Sequence, residues 1–201
     1  MNYKDYQTAR DAAWQILLDC HVDSLPVGVL EICRHLGCKL YSYDAGRKII
    51  HAFRLDAQTE KTDGFTVLYR DVPYIFYSGN TSEARQRFTI AHEIGHIVLG
   101  HIEDGKYTVI NREPSPGDSA DETQANQFAA RILAPACVLN ALDAVDAEQI
   151  SSLCAISHQA AQFRSERMKQ LRTRGKFLSH PLERDVMRQF EPFVRSRLGS
   201  R

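Results

Sequence analysis

Apolar positions recur at helical spacing over residues 7–20 (QTARDAAWQILLDC) and again over 24–37 (SLPVGVLEICRHLG), and each run predicts an amphipathic helix. In the second run Pro26 falls in the expected first turn and Gly37 at the expected terminus. The pattern then shortens to strand-like runs at 38–43 (CKLYSY), 64–70 (GFTVLYR) and 73–78 (PYIFYS). Little more than Asp71 and Val72 separates the last two, so the three predict a small antiparallel sheet containing a hairpin. Helical spacing returns over 82–99, 119–133, 146–154, 157–172 and 182–197. Between the first two of these, residues 101–118 are rich in Gly, Pro, Asp and Glu and read as a surface loop. Helices flanking a short sheet predict an α+β fold, and there is no internal repeat or low-complexity segment.

One helical run carries polar groups where burial is expected. In FTIAHEIGH, residues 88–96, two histidines and a glutamate sit among isoleucines. At about 100° per residue, with His92 at 0°, His96 falls near 40° and Glu93 near 100°, while Ile90, Ile94 and Ile97 cluster between roughly 140° and 200°. One stripe packs into the core and the neighbouring one presents two imidazoles a turn apart. That spacing lets both reach one metal ion at about 2.0–2.1 Å, the H-E-x-x-H arrangement of zinc metallopeptidases. Glu93 is offset from both imidazoles, suited to touch a metal-bound water as general base and unsuited to be a third ligand. The bland alternative is a chance match, with two core or surface histidines beside a surface glutamate.

A hydrolytic zinc site needs a third protein donor. The metzincin pattern is excluded, because it requires Gly at 99 and His at 102 where the chain has Leu99 and Ile102; His101 is out of register for that role. In residues 118–135 (DSADETQANQFAARILAP), placing Ala125 at about 0° gathers Ala129, Leu133, Ile132 and Phe128 on one apolar face, and Glu122 lies near 60°, inside that stripe. Ala125 and Ala129 allow another helix to approach closely, and Asn126, near 100°, is placed to hydrogen-bond a ligand. Ser119-x-x-Glu122 is also a capping box, in which Glu122 merely closes the helix start. The inward face favours the ligand.

These segments resemble a known family. RFTIAHEIGHIVLGH (87–101) and ETQANQFAARILAP (122–135), more loosely LPVGVLEICRHLGCKLY and ISSLCAISHQAAQFRSERMKQL, are similar to the ImmA/IrrE family of zinc metallopeptidases, over about residues 10–172. The resemblance implies a zincin-like fold in which His92 and His96 bind Zn2+, Glu93 is the catalytic acid/base and Glu122 is the third ligand. It also implies action inside bacterial cells, often from mobile elements or phage, on a helix-turn-helix repressor. The expected organisation is a zincin-like metallopeptidase domain over 1–142 and a helical region over 143–201, in which helix, short turn AIS (155–157) and helix offer a helix-turn-helix-like reading.

Composition and charge narrow the rest. Of the 201 residues 43% are hydrophobic and 25% charged, enough for one substantial core with a small appendage and too apolar for a disordered chain. The polar start MNYKDYQTARDAAWQ and the lack of any long apolar run lead to an expectation of a cytoplasmic protein with no membrane contact. Cys20, Cys33, Cys38, Cys137 and Cys154 are odd in number and contain no C-x-x-C pair, which points to reduced residues, mostly in the core. Net charge is zero, yet residues 164–201 hold 11 Lys/Arg against 4 Asp/Glu, a local +7. Arg164, Arg167, Lys169 and Arg172 therefore raise a rival reading, a DNA-binding regulator, and a second rival is a zinc-bound module that sequesters a partner without cutting it. The expected partner is a protein substrate. His101, Tyr74, Tyr77 and His158 are candidate donors to the oxyanion of the tetrahedral intermediate.

Overall fold

A hairpin that supplies the central strand and one edge of a three-stranded sheet organises the first part of the chain. In the computed structural model, which describes residues 3–102 and 119–199, β2 (Gly64–Tyr69) and β3 (Val72–Tyr77) pair antiparallel with Phe65 opposite Phe76. Arg70 and Asp71 both adopt positive φ, 51° and 61°, as the central residues of a type I′ turn require. The sequence pattern predicts an antiparallel sheet, and the structure corrects this: β1 (Lys39–Ser42) lies beside β3 and runs parallel to it, in the order β1-β3-β2. Residue alternation fixes which face a side chain takes and leaves the choice of neighbouring strand open. Here residues 43–63 carry the chain to the far edge before β2, so that β3 returns into the middle.

That connection holds two helices absent from the periodicity reading. Ser42 caps α3 (Tyr43–Ala52) by accepting the Ala45 N–H at 3.2 Å, so Tyr43 opens a helix where the pattern extended the strand. The short α4 (Gln58–Lys61) follows. Phe65, Val67 and Phe76 on one sheet face pack with Ile50 and Leu55, and Tyr41, Tyr43, Ile49, Phe53 and Tyr74 surround them. The opposite face, carrying Thr66 and Ile75, meets α5 (Glu83–Val98). An Arg85–Asp63 ion pair of 2.7 Å ties the start of α5 to the entrance of β2. Ahead of the sheet, α2 (Val29–His35) begins three residues after Pro26, which follows a cis peptide bond and is not in the helix.

The chain divides into two compact units, Met1–Ala9 with Val29–Ala129 and Arg10–Gly28 with Ala130–Arg201. The first holds the sheet and most of α6 (Ala120–Leu133). The second is helical, with the greater part of α1 (Tyr3–Asp19), then α7 (Ala136–Ala141), α8 (Ala147–Cys154), α9 (His158–Thr173) and α10 (Pro181–Leu198). Asp146 and Ser157 cap α8 and α9, and Ala155, at φ 50°, makes the left-handed turn between them. In α10, Val186, Phe190 and Val194 are buried, and Gln189 Nε2 donates to the carbonyls of Leu17 and Val22 at 2.7 and 2.6 Å. The basic end of the chain is thus a core element of its own unit. The mixture of a small sheet and many helices is the expected α+β class. No described helix is long and apolar enough to cross a membrane. Most of the expected 101–118 loop lies outside the described residues.

Candidate metal centre

Every residue from Thr89 to His96 is buried, so α5 is enclosed on all sides over its histidine segment, beyond the two stripes expected from its periodicity. Ser82 caps its start by accepting the Arg85 N–H at 3.3 Å. Gly95 sets the distance to α6. A Cβ added there would lie 3.2 Å from Ala125 Cα and 3.1 Å from Phe128 Cδ1, tighter than ordinary contact. Ala125, Phe128, Ala129, Ile132 and Leu133 are all buried, as the wheel of α6 predicts. Small residues at this crossing bring the first turn of α6 within reach of the imidazoles.

Three side chains converge there. His92 Nε2 and His96 Nε2 are 2.9 Å apart, and Glu122 offers Oε2 to His92 at 3.3 Å and Oε1 to His96 at 3.1 Å. Ligand bonds of about 2.0–2.1 Å in a tetrahedron separate donor atoms by roughly 3.3 Å, so two imidazoles and a carboxylate in this arrangement fit a zinc-sized ion. Ser119 Oγ accepts the Glu122 backbone N–H at 3.2 Å, so this half of the capping box forms while the Glu122 carboxylate is directed to the histidines. Burial works to raise the Glu122 pKa, but hydrogen bonds with His92 and His96 outweigh it and hold the carboxyl at about 2. At His96 burial works to lower the pKa, and the bond to Glu122 with the nearby Glu93 charge raises it instead.

A peptidase family described as the IrrE N-terminal-like domain matches residues 45–166, a span that contains both helices of the centre. The chain belongs to the ImmA/IrrE family. No curated protein matches it significantly. As an ImmA/IrrE member it carries a peptidase domain of a metallopeptidase family, and His92, His96 and Glu122 are a cluster that could bind a metal.

Around the cluster of this ImmA/IrrE chain the remaining candidates take distinct places. Glu93 is fully buried, and its Oε2 accepts a hydrogen bond from the Thr66 hydroxyl at 2.6 Å. Thr66 had no signal in the sequence, since threonine is an ordinary strand former and only the pairing of β2 with α5 gives its hydroxyl a role. Asn126 Oδ1 lies 2.9 Å from His92 Nδ1, where the wheel of α6 placed it. His101 Nδ1 lies 3.1 Å from His96 Nδ1, and burial pushes the pKa of His101 down. Tyr74 stacks edge-on to Phe53 on the sheet face away from Glu93, which removes it as an oxyanion donor. His158 is the exposed first residue of α9, and Tyr77 ends β3, half-buried.

Of the basic residues on α9, Arg164 donates to the Ala134 carbonyl, and Arg172 binds Asn140 at 3.1 Å and Asp143 at 2.8 Å. Arg164 thus holds the entry to α7, and Arg172 its last turn and the turn after it. Arg167 bonds Gln170 at 3.0 Å, and Lys169 is exposed. A separate cavity of about 620 Å³, lined among others by Asp44, Asp56, Glu60 and Asp63, includes none of the metal-centre side chains.

Proposed function

We propose that the chain is a zinc-dependent endopeptidase of zincin-like fold, with His92, His96 and Glu122 as ligands and Glu93 as general acid/base. The observation that carries this reading is the convergence of two imidazole Nε2 atoms and a carboxylate beside a buried glutamate. Bound there, zinc would polarise the scissile carbonyl and acidify the attacking water. Glu93 would take the proton of that water and deliver it to the leaving amine. Thr66 fixes one oxygen of Glu93, which leaves the carboxylate a single orientation in which to work.

The proposed substrate is a cytoplasmic protein of the helix-turn-helix repressor type, encoded near this chain on a mobile element, and the support for it is family membership alone. We further propose that residues 1–142 carry the peptidase chemistry and 143–201 form a helical region that meets the partner. A DNA-contacting α9 has less support, because Arg164 and Arg172 are engaged within their own unit.

Elemental analysis should find about one zinc per chain in protein purified without added metal. A His92→Ala, His96→Ala double variant should lose it, and unchanged stoichiometry there would sink the site. Glu93→Gln should keep zinc and partner binding while abolishing cleavage of the products of neighbouring genes. If wild type and Glu93→Gln bind the partner alike and neither cuts it, the chain is a sequestering module.

A further inference from the structure

We infer that His101 is a positioning residue for the metal centre, accepting the Nδ1 hydrogen of His96 and thereby holding the His96 Nε2 lone pair toward His92 and Glu122. The inference rests on the proposed metal site and adds to it a residue that is not a ligand.

Proton counting carries it. A histidine that binds metal through Nε2 bears its hydrogen on Nδ1. His96 Nδ1 is 3.1 Å from His101 Nδ1, and two nitrogens at that distance share one hydrogen. His101 Nδ1 is therefore the acceptor, and a neutral His101 carries its own hydrogen on Nε2. That nitrogen faces two acceptors, Gln124 Oε1 at 3.3 Å and Asp121 Oδ1 at 3.8 Å. Hydrogens thus run in one direction, from His96 through His101 to the first turns of α6. His92 has the matching arrangement in one step, with Nδ1 2.9 Å from Asn126 Oδ1. Both nitrogens of His101 are then occupied, which leaves it no lone pair for the metal.

The backbone holds the ring in place. Gly100 adopts φ 71°, which lets the chain reverse at the end of α5 in a Schellman turn. His101 N–H donates to the His96 carbonyl at 2.9 Å, and Gly100 N–H to that of Ile97 at 3.2 Å. His101 is therefore anchored to His96 twice, once through the main chain and once through the ring. Its side chain is only 8% exposed. Gln124 and Asp121 flank Glu122 on α6, so the same chain of bonds sets the position of the third donor relative to the second.

Removing an outer hydrogen-bond partner of a ligand histidine typically weakens metal binding about 10–100-fold. Zinc dissociation constants from competition with a chromophoric chelator should show that loss for His101→Phe, which keeps the bulk and deletes the acceptor. His101→Asn, whose carbonyl oxygen can stand where Nδ1 stood, should recover most of it. Long-range 15N NMR of the zinc-loaded wild type, which needs no variant, should show His101 as the Nε2–H tautomer. An Nδ1–H tautomer, or wild-type zinc affinity in His101→Phe, overturns the role of His101. His96→Ala separates the two levels: zinc retained in that variant sinks the metal site itself, while zinc lost there but unchanged in His101→Phe sinks only this inference.

Discussion

At the scale of single residues the centre is built from groups that are costly to bury unless each is answered. Thr66 is the plainest case, a hydroxyl spent on the carboxylate of Glu93 at 2.6 Å inside a sheet–helix interface. Thr66→Val keeps the shape and deletes the donor, so peptide hydrolysis should fall about tenfold or more, corresponding to at least ~1.4 kcal/mol of barrier, with zinc content unchanged. Thr66→Ser should restore most of the rate; equal activity in wild type and Thr66→Val would show that Glu93 needs no such orientation. Glu183 gives a pH signature in the other unit. Only 4% exposed, it has its pKa raised by burial, a shift that the backbone N–H groups of Leu178, Ser179 and His180 oppose. The folded state then holds this proton more tightly than the unfolded chain does. Its contribution is fully present below the ordinary carboxylate pKa of 4.5 and is lost as pH rises through the elevated folded value. Urea unfolding at a series of pH values should show that decline in wild type and a flatter profile in Glu183→Gln.

At the scale of elements, the crossing of α5 and α6 decides whether three side chains meet. Phe128 can turn its ring away from a new methyl group at residue 95, but the Ala125 backbone, 3.2–3.3 Å from that position, cannot yield without moving α6. Gly95→Ala gains up to about 1 kcal/mol of helix propensity, and overpacking costs about 1–3 kcal/mol. We expect a net loss of stability of roughly 1–2 kcal/mol, together with weaker zinc binding because Glu122 is carried away from the histidines. A variant as stable as wild type with unchanged zinc affinity would mean that the helices are free to slide apart at no cost.

For the molecule as a whole, the question is what the basic end contributes. Arg188 and Arg195 are exposed and paired on their own helix, with Asp185 at 2.8 Å and Glu191 at 2.7 Å, bonds that add little stability at a wet surface. Beneath them Val186, Phe190 and Val194 fill the core of the helical unit. Truncation after residue 175 should therefore lower the unfolding temperature sharply, through loss of several kcal/mol of apolar burial. Recognition has to be probed by charge alone. Replacing Arg188, Arg195 and Arg197 by Gln should leave the unfolding temperature within a few degrees, and should slow cleavage of the proposed partner at low salt more than cleavage of a short peptide. Equal losses on both substrates would count against docking through this surface.

Much of the centre was written in local pattern. The i, i+4 pairing of His92 and His96, the inward side of Glu122 and the place of Asn126 all follow from the helical repeat, which needs no knowledge of the rest of the chain. The α+β class was equally legible, because periods near 2 and 3.6 separate strands from helices. Tertiary structure decided everything that joins distant residues. The parallel pairing of β1 with β3 arises from where residues 43–63 deliver the chain, and alternation cannot express it. Ser42 could have continued a strand or capped a helix, and the packing of α3 on the sheet chose the cap. Thr66 found Glu93 across 27 positions, and the segment with the local +7 charge contributes the apolar face of α10 to a core. A helix states in its own sequence which way its side chains point; which side chains it meets depends on contacts between residues far apart along the chain.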